Sequence, residues 1–224
     1  MYHFLRSGLD SLLPKRCPTC ADGLVPPELS LCCRCVAAFQ LSARPKKVQL
    51  SFASEGLSWQ PYQSDHVRRA MRALKFGNRP DLGLALGRMM AQQVSAPSAD
   101  VLMPLPLRPD RAYLRGYNQA ERIAQGLASA WGLPVVQGPL VRPLRAATYL
   151  KKSQAKLHES ERFAMQGTYV VADAGALRGA RILLVDDTLT TGATLNAAAE
   201  AVQKKARVAE LVPLTLAYAV REQV

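Results

Sequence analysis

The sequence lacks any long apolar run. No stretch approaches the roughly 20 apolar residues with which a helix crosses a bilayer, so no membrane span is predicted. The first 17 residues also lack the small-residue cleavage site of a signal peptide, and we expect a short amphipathic helix of a cytoplasmic protein. Aromatic residues make up only 6% of the chain, which argues against an extensive base-stacking surface without excluding one.

Cysteine is absent except in residues 17–35, which contain all five. Two C-x2-C pairs, separated by eleven residues, offer four thiolates to one tetrahedral Zn²⁺. The predicted ligands of this structural zinc are Cys17, Cys20, Cys32 and Cys35, which leaves Cys33 over. Disulfides are the alternative, but they are rare in cytoplasmic proteins. A redox C-x-x-C pair is a weaker alternative, because neither pair is expected at a strand-to-helix junction.

The length of 224 residues and the hydrophobic content of 49% allow one sizeable domain and a small module. We predict the module at residues 1–45, where it comprises the N-terminal helix and the cysteine pairs. Such a module lacks a core of its own and would depend on its metal to fold. The main domain would span residues 46–224.

The net charge of +12 is unevenly distributed. Residues 44–88 contain nine Lys and Arg against three Asp and Glu, and residues 101–165 contain ten against four. Residues 180–224 are balanced. The excess predicts an anionic partner, namely a polyphosphate, a nucleic acid, or both. A solvated basic surface without a partner is the alternative.

Residues 181–195 contain the most informative motif. Four apolar residues precede Asp186 and Asp187, and a small polar turn at residues 190–194 leads into an Ala-rich helical pattern. This order predicts a buried strand, a loop and a helix start. Successive backbone N–H groups in a tight turn, with a helix N-terminus behind them, form an anion site that suits phosphate.

The carboxylates of this motif need a different ligand group. Vicinal ribose hydroxyls donate hydrogen bonds to carboxylates, so phosphate and ribose together suggest a sugar phosphate. Gly192 would let the backbone approach that ligand, and threonine hydroxyls would add hydrogen bonds. The predicted binding residues are Asp186, Asp187, Thr188, Thr190, Thr191, Gly192, Ala193 and Thr194. An ordinary buried strand with an Asp-rich turn is the alternative.

Two basic segments are candidates for binding further phosphate groups. Residues 66–76 predict an amphipathic helix whose charged residues, Lys75 among them, either face solvent or lie over a phosphate-bearing ligand. Residues 100–106 predict a parallel strand, beyond whose carboxyl end ligands of such sheets bind. Guanidinium groups in the loop that follows would suit a diphosphate. These groups belong to Arg108, Arg111 and Arg115.

The remaining pattern predicts further elements. Residues 142–162 are polar and basic, which indicates either a lid over a substrate or an exposed insertion. Strands or hairpins are expected in residues 48–62, 135–136, 168–172 and 210–218, helices in residues 82–94, 120–131 and 196–205, and a linker in residues 41–47.

Residues 181–195 resemble the ribose-5-phosphate loop of type I phosphoribosyltransferases, which bind phosphoribosyl pyrophosphate (PRPP). Nearly the whole chain resembles the competence-associated, GntX-like ComF family. The markers are the double C-x2-C, Leu-Lys-Phe-Gly at 74–77, the segment 103–121 with Arg-Gly-Tyr-Asn-Gln at 115–119, the series Thr148, Gln154, Leu157 and Arg162, and residues 183–195.

The resemblance implies an α/β fold of the type I phosphoribosyltransferase kind, in which helices flank a mostly parallel sheet, with an N-terminal zinc-binding module. It implies PRPP or a related phosphoribosyl ligand at the motif. It also implies that the protein handles incoming single-stranded DNA with the competence machinery.

Three functions follow, and the first is favoured. The protein is a PRPP-binding competence protein that handles single-stranded DNA, an active transferase with a nucleobase or amine acceptor, or a regulator that senses PRPP. In a transferase, Asp186 and Asp187 would hold the ribose, while Mg²⁺ and Arg115 would neutralise the departing pyrophosphate. No base-reading hood is assigned, because the zinc module occupies the place in the chain where a hood often lies.

Overall fold

The computed structural model describes residues 16–24, 30–143 and 168–219. The helices are α1 (Cys33–Ser42), α2 (Asp65–Phe76), α3 (Pro80–Gln93), α4 (Pro109–Arg115), α5 (Gln119–Trp131) and α6 (Ala193–Lys205). The strands are β1 (Lys46–Val48), β2 (Gly56–Pro61), β3 (Val101–Pro104), β4 (Leu140–Val141), β5 (Val170–Val171), β6 (Arg181–Leu189) and β7 (Glu210–Tyr218). The helix expected before residue 16 and residues 144–162 of the expected lid lie outside the described residues. In the described part of the chain, no helix combines the length and the apolarity that crossing a membrane requires.

Five strands form one mostly parallel sheet in the order β1-β2-β7-β6-β3. β2, β7, β6 and β3 run parallel, whereas β1 is antiparallel to β2 and forms the hairpin expected in residues 48–62. β4 and β5 form a separate antiparallel pair. Because parallel neighbours need crossover connections, helices cover the faces of such a sheet.

The apolar residues of β6 point alternately into two cores. Leu183 and Val185 belong to a hydrophobic cluster that includes residues of α1, α2, α3 and α5. Ile182 and Leu184 belong to a second cluster that includes residues of α6. Successive strand residues face opposite sides, so this central strand is buried on both. The mostly parallel sheet with helices on both faces confirms the architecture that the resemblance implies.

α3 and α5 pack backbone to backbone. A Cβ atom at Gly87 would lie 2.3 Å from the carbonyl oxygen of Ile123, and one at Gly126 would lie 2.3 Å from that of Leu84. No side chain tolerates such a contact, so glycine is required at both positions. This close approach anchors α5, whose first residue, Gln119, contributes to the site described below.

The motif strand is longer than expected. β6 continues through the acid pair to Leu189, which pairs with Tyr218 of β7, although this part of the strand is polar. Hydrogen bonding to β7 therefore decides where β6 ends. The apolar run alone, which stops at Val185, predicts a strand that is too short. α6 correspondingly begins at Ala193, three residues before the expected start at Asn196.

The arginine-bearing segment contains a helix where a loop was expected. Pro109 suits the first turn of α4, and Gly116, at φ +73°, ends it in the left-handed conformation.

Two other predicted segments differ from the structure. The strand expected at residues 135–136 is only an isolated bridge between Val135 and Leu102. The expected linker is shorter than predicted, because α1 extends to Ser42 and β1 begins at Lys46.

The cysteine-bearing segment packs into the same core as the sheet. Cys17 and Cys35 belong to the cluster that contains Trp59 of β2. Two arginines also donate hydrogen bonds of 3.1 to 3.3 Å to its backbone carbonyls: Arg69 to Thr19, and Arg79 to Arg16 and Ser30. The domain boundary after residue 45 stays a prediction.

Candidate functional site

The acid pair lies at the edge where the parallel strands end. Asp186 and Asp187 are among the last four residues of β6, and Asp186 pairs with Thr215 of β7. Carboxyl ends of parallel strands share one edge of a sheet, which is where such sheets bind ligands. The N–H group of Asp187 donates to Oδ1 of Asp186 at 2.8 Å, so the Asp186 carboxylate is held against its own strand.

Lys75 of α2 reaches this acid pair. Its Nζ atom lies 3.1 Å from Oδ1 of Asp187 and donates to Oγ1 of Thr188 at 3.2 Å. Only 24% of the Lys75 side chain and 15% of the Asp187 side chain are exposed. The basic helix therefore places one cation beside the acid pair, and the position of this helix over a phosphate-bearing ligand stays a prediction.

The environment of Asp186 favours its protonated form. Burial, and after it the neighbouring charge of Asp187, raise the pKa of its carboxyl group from 3.8 to about 7. The N–H group of Asp187 and the positive charges of Lys75 and Arg142 oppose this rise in pKa. The two carboxyl groups thus differ in environment although they are adjacent in sequence.

Arg142 is the first residue of the basic segment that was interpreted as a lid or an exposed insertion, but it was not among the predicted binding residues. Its guanidinium carbon lies 5.2 Å from the ring centroid of Tyr169, a cation–π contact, and its charge acts on Asp186. Its Nε atom is buried and has no hydrogen-bond partner in the described residues. Burial raises the pKa of Tyr169 and keeps its phenol neutral. The β4–β5 pairing brings Arg142 beside Tyr169, a position that the polar, basic pattern of residues 142–162 does not specify.

The turn before α6 has the geometry of an anion site. Gly192 precedes the helix at φ +77°, a conformation that side chains rarely adopt. Oγ1 of Thr191 accepts a hydrogen bond from the N–H group of Ala193 at 3.3 Å, and Thr190 and Thr191 are exposed. The first N–H groups of this 13-residue helix and the positive end of its dipole follow the carboxyl end of β6 after three residues, 190–192. Thr194 lies in the same first turn.

In the described part of the chain, the three predicted diphosphate-binding arginines make no hydrogen bond or ion pair with this motif. Arg108, the residue before α4, pairs with Asp110 in the first turn of that helix. Arg115 donates to Oε1 of Gln119 at 2.8 Å, and its guanidinium carbon lies 5.5 Å from the centroid of the Phe76 ring. Within the described residues, none of the three, Arg111 included, has a hydrogen bond or ion pair to residues 186–194. Lys75 is thus the predicted cation that the structure brings to the acid pair.

The four predicted metal ligands form a cluster. The Sγ atoms of Cys17, Cys20, Cys32 and Cys35 all lie within 4.8 Å of one another, and none forms a disulfide. Four sulfurs at 2.3 Å from one Zn²⁺ would lie about 3.8 Å apart, so the cluster fits a tetrahedral metal. Burial raises the pKa of Cys17, but N–H groups of Cys32 and Cys20 outweigh it and lower that pKa to about 6. The cluster is a site that could hold a metal ion such as zinc.

Two curated proteins are similar to the chain. The competence protein ComFC of Bacillus subtilis (strain 168) is 34% identical over 116 residues, which cover 52% of this chain and 43% of that protein. The DNA utilization protein YhgH of Salmonella typhi is 28% identical over 131 residues, 54% of each protein. The chain thus spans about half the length of the curated relatives it matches. These similarities confirm the resemblance to the ComF family. No protein-family model matches the chain.

Among solved structures, orotate phosphoribosyltransferase of Mycobacterium tuberculosis H37Rv is similar over 83% of this chain and 94% of its own. The two are 17% identical, and the TM-score is 0.35. A TM-score this low carries no structural argument, so the fold class rests on the sheet topology of the chain itself.

Proposed function

We propose that the protein binds PRPP, or a related phosphoribosyl ligand, together with Mg²⁺ at the end of β6. The observation that carries the proposal is the contact of Lys75 with Asp187 near the carboxyl end of β6, the strand that leads through residues 190–192 into α6. Asp186 and Asp187 would accept hydrogen bonds from the ribose hydroxyls. Exposed hydroxyls and free N–H groups of the turn would bind the 5-phosphate.

Cationic residues would hold the diphosphate of the same ligand. Lys75 already lies at the site, and Mg²⁺ would neutralise further charge between phosphate oxygens. Arg108, Arg111 and Arg115 follow β3, which is the neighbour of β6 in the sheet. They would have to exchange their present partners, such as Asp110, for the ligand.

We further propose a role in handling incoming single-stranded DNA with the competence machinery, in the cytoplasm. The names of the two relatives, a competence protein and a DNA utilization protein, support this role. The exposed arginines of α2 provide the charge that such a partner requires. The cysteine cluster would carry a structural Zn²⁺ that stabilises the module packed against this helix.

Calorimetric titration with PRPP and Mg²⁺ tests the ligand site. We expect binding to the wild-type chain and none to the variant with Asp186→Ala and Asp187→Ala. Glu55→Ala, which removes only an exposed ion pair with Lys47, should leave binding unchanged. Intact binding in the double variant would refute the site assignment.

One observation favours turnover as a second candidate function. A carboxyl group with a pKa of about 7, such as that of Asp186, is suited to proton transfer at neutral pH. Turnover is distinguished from binding alone by measuring the release of pyrophosphate from PRPP in the presence of each of a panel of nucleobases and amines. Release that depends on an acceptor supports a transferase. If PRPP binds but no pyrophosphate is released with any acceptor tested, the result supports a protein that senses PRPP without converting it.

A further inference from the structure

An exposed aromatic ring and a guanidinium group lie together at the end of α2. Phe76, the last residue of the helix, is 75% exposed, and the Arg115 guanidinium carbon lies 5.5 Å from its ring centroid. Arg115 is held by Gln119, a buried residue whose Nε2 atom donates to the carbonyl oxygen of Leu74. The two planar groups are thus positioned before any partner arrives, which lowers the entropic cost of binding.

Exposed apolar side chains concentrate around this pair. In the described part of the chain, four large apolar residues are more than half exposed: Leu41, Phe76, Tyr113 and Leu114. Three of these four lie on α2 or α4, the two helices that the Arg115–Phe76 contact joins. α4 also buries none of its seven residues. Packing in the described residues therefore does not account for this apolar surface, which is typical of a binding surface.

Positive charge extends along α2 from this pair. Arg69, Arg72 and Phe76 follow one another at intervals of three and four residues, so they share one exposed face of the helix. Seven residues of helix span about 10 Å. Arg69 donates to the carbonyl oxygen of Thr19 at the cysteine-bearing segment. Arg72 is exposed, and its side chain makes no hydrogen bond or ion pair in the described residues, so its charge is available to a ligand.

We propose that this face of α2, together with Arg115, is the surface on which the protein holds single-stranded DNA. A base would stack on Phe76 beside the Arg115 guanidinium, and Arg72 would contact a phosphate. The inference rests on the proposed handling of single-stranded DNA and names the surface for it. An exposed aromatic ring beside basic groups suits single strands, because every unpaired base offers a face for stacking. In a duplex those faces are already stacked inside the helix.

The surface also lies beside the proposed PRPP site. Lys75, which contacts Asp187, directly precedes Phe76 in the chain. Arg115 is among the residues proposed for the diphosphate, so a test of the DNA surface must use other residues. Phe76 and Arg72 meet this condition, because neither belongs to the proposed PRPP site.

The test measures binding of a fluorescent oligo-dT of roughly 15 nucleotides to the full chain by anisotropy at several salt concentrations. We expect Phe76→Ala to weaken binding about tenfold with an unchanged salt dependence, because stacking releases no counterions. Phe76→Trp should keep the wild-type affinity and shows that the fold tolerates a change here. Arg72→Gln should weaken binding and reduce the slope of log K against log salt by about one.

Matched controls carry the same changes elsewhere on the surface. Phe52→Ala removes a partly exposed ring from the β1–β2 connection, and Arg178→Gln removes an exposed arginine beside β6. Both should bind oligo-dT like the wild type. Equal affinity of Phe76→Ala and the wild type would overturn the proposed surface, as would tighter binding of duplex DNA or of an RNA strand.

The outcomes separate this inference from the proposed function. If the wild-type chain does not bind oligo-dT at all, both the DNA role and the surface are overturned. If the wild type and Phe76→Ala bind equally well, only the surface is overturned. If PRPP fails to bind in calorimetry while Phe76→Ala weakens DNA binding as expected, the PRPP site is wrong and the surface stands.

Discussion

The ammonium group of Lys75 lies 3.1 Å from Oδ1 of Asp187, across a separation of 112 residues in the chain. The contact connects the last turn of a basic helix on one face of the sheet with the acid pair at its carboxyl edge. Both side chains are largely buried, so neither charge is well solvated without the other. The pair therefore places one positive and one negative charge at the proposed ligand site, and the loss of either partner would leave the other charge buried without compensation.

Replacing Lys75 tests this relationship. Lys75→Met keeps the length of the side chain but leaves Asp187 without its cation, so we expect PRPP affinity to fall about tenfold. The free energy of unfolding should also fall, by about 1 kcal/mol or more, because the remaining charge is partly buried. Calorimetry and chemical denaturation measure the two effects. Lys47→Met, which breaks an exposed pair with Glu55, should change neither, and equal behaviour of the two variants would contradict the prediction.

A second prediction concerns the glycine before α6. At Gly192 an alanine would have to adopt φ near +77°, and its Cβ atom would lie 3.2 Å from Cδ2 of Leu50. Gly132 has a similar φ of +70°, but its Cβ atom would meet nothing within 4 Å. We expect Gly192→Ala and Gly132→Ala each to cost about 1 kcal/mol of stability in thermal denaturation.

Of these two variants, only Gly192→Ala should affect the binding of PRPP. Gly192→Ala should weaken PRPP binding in calorimetry, because the turn that would hold the 5-phosphate must shift. Gly132→Ala should bind like the wild type. A Gly192→Ala variant with full affinity would show that the turn does not contact the phosphate.

The third prediction is a pH dependence of stability caused by Asp186. In the unfolded chain its carboxyl group loses its proton near pH 3.8, whereas the folded chain keeps it up to about pH 7. The folded state binds the extra proton between these values, so this group lowers the free energy of unfolding as pH rises from 4 to 7. The loss is complete above pH 7, at about 1.4 kcal/mol for each unit by which the pKa is raised.

Asp186→Asn removes this titration. We expect the variant to be more stable than the wild type at pH 8, with a difference that shrinks toward pH 4. Urea denaturation at a series of pH values measures it. Parallel stability profiles of the two proteins between pH 4 and 7 would show that the Asp186 pKa is not raised.

The fourth prediction concerns the cysteine cluster. The wild-type chain, purified without chelators, should contain about one zinc ion per chain, and Co²⁺ should replace it with thiolate-to-cobalt absorbance typical of tetrahedral sites. Cys32→Ser should lose the metal and melt at a lower temperature, because the segment depends on the ion. Cys33→Ser, at the exposed neighbouring residue, should keep both the metal and the melting temperature. A metal-free wild type with an undiminished melting temperature would contradict the structural zinc.

The cysteine ligands show how far the sequence reaches. Two C-x2-C pairs predict one tetrahedral site, and the four sulfurs lie within 4.8 Å of one another. The spacing in the sequence is enough to predict the ligands, because the two cysteines of each C-x2-C pair are only three residues apart. Arg142 is the opposite case, since its position beside Tyr169 depends on a pairing between β4 and β5 that no local pattern marks.

The sequence by itself determined the elements whose causes are local. The amphipathic spacing of α2, the apolar run of β6 and the glycine before α6 follow from neighbouring residues. The tertiary structure decided which of these elements meet. β6 continues through its polar residues because β7 pairs with them, and Lys75, not the three arginines, reaches the acid pair because α2 ends over that edge of the sheet. Contacts between residues far apart in the chain depend on packing and hydrogen bonding between whole elements, which no local pattern specifies.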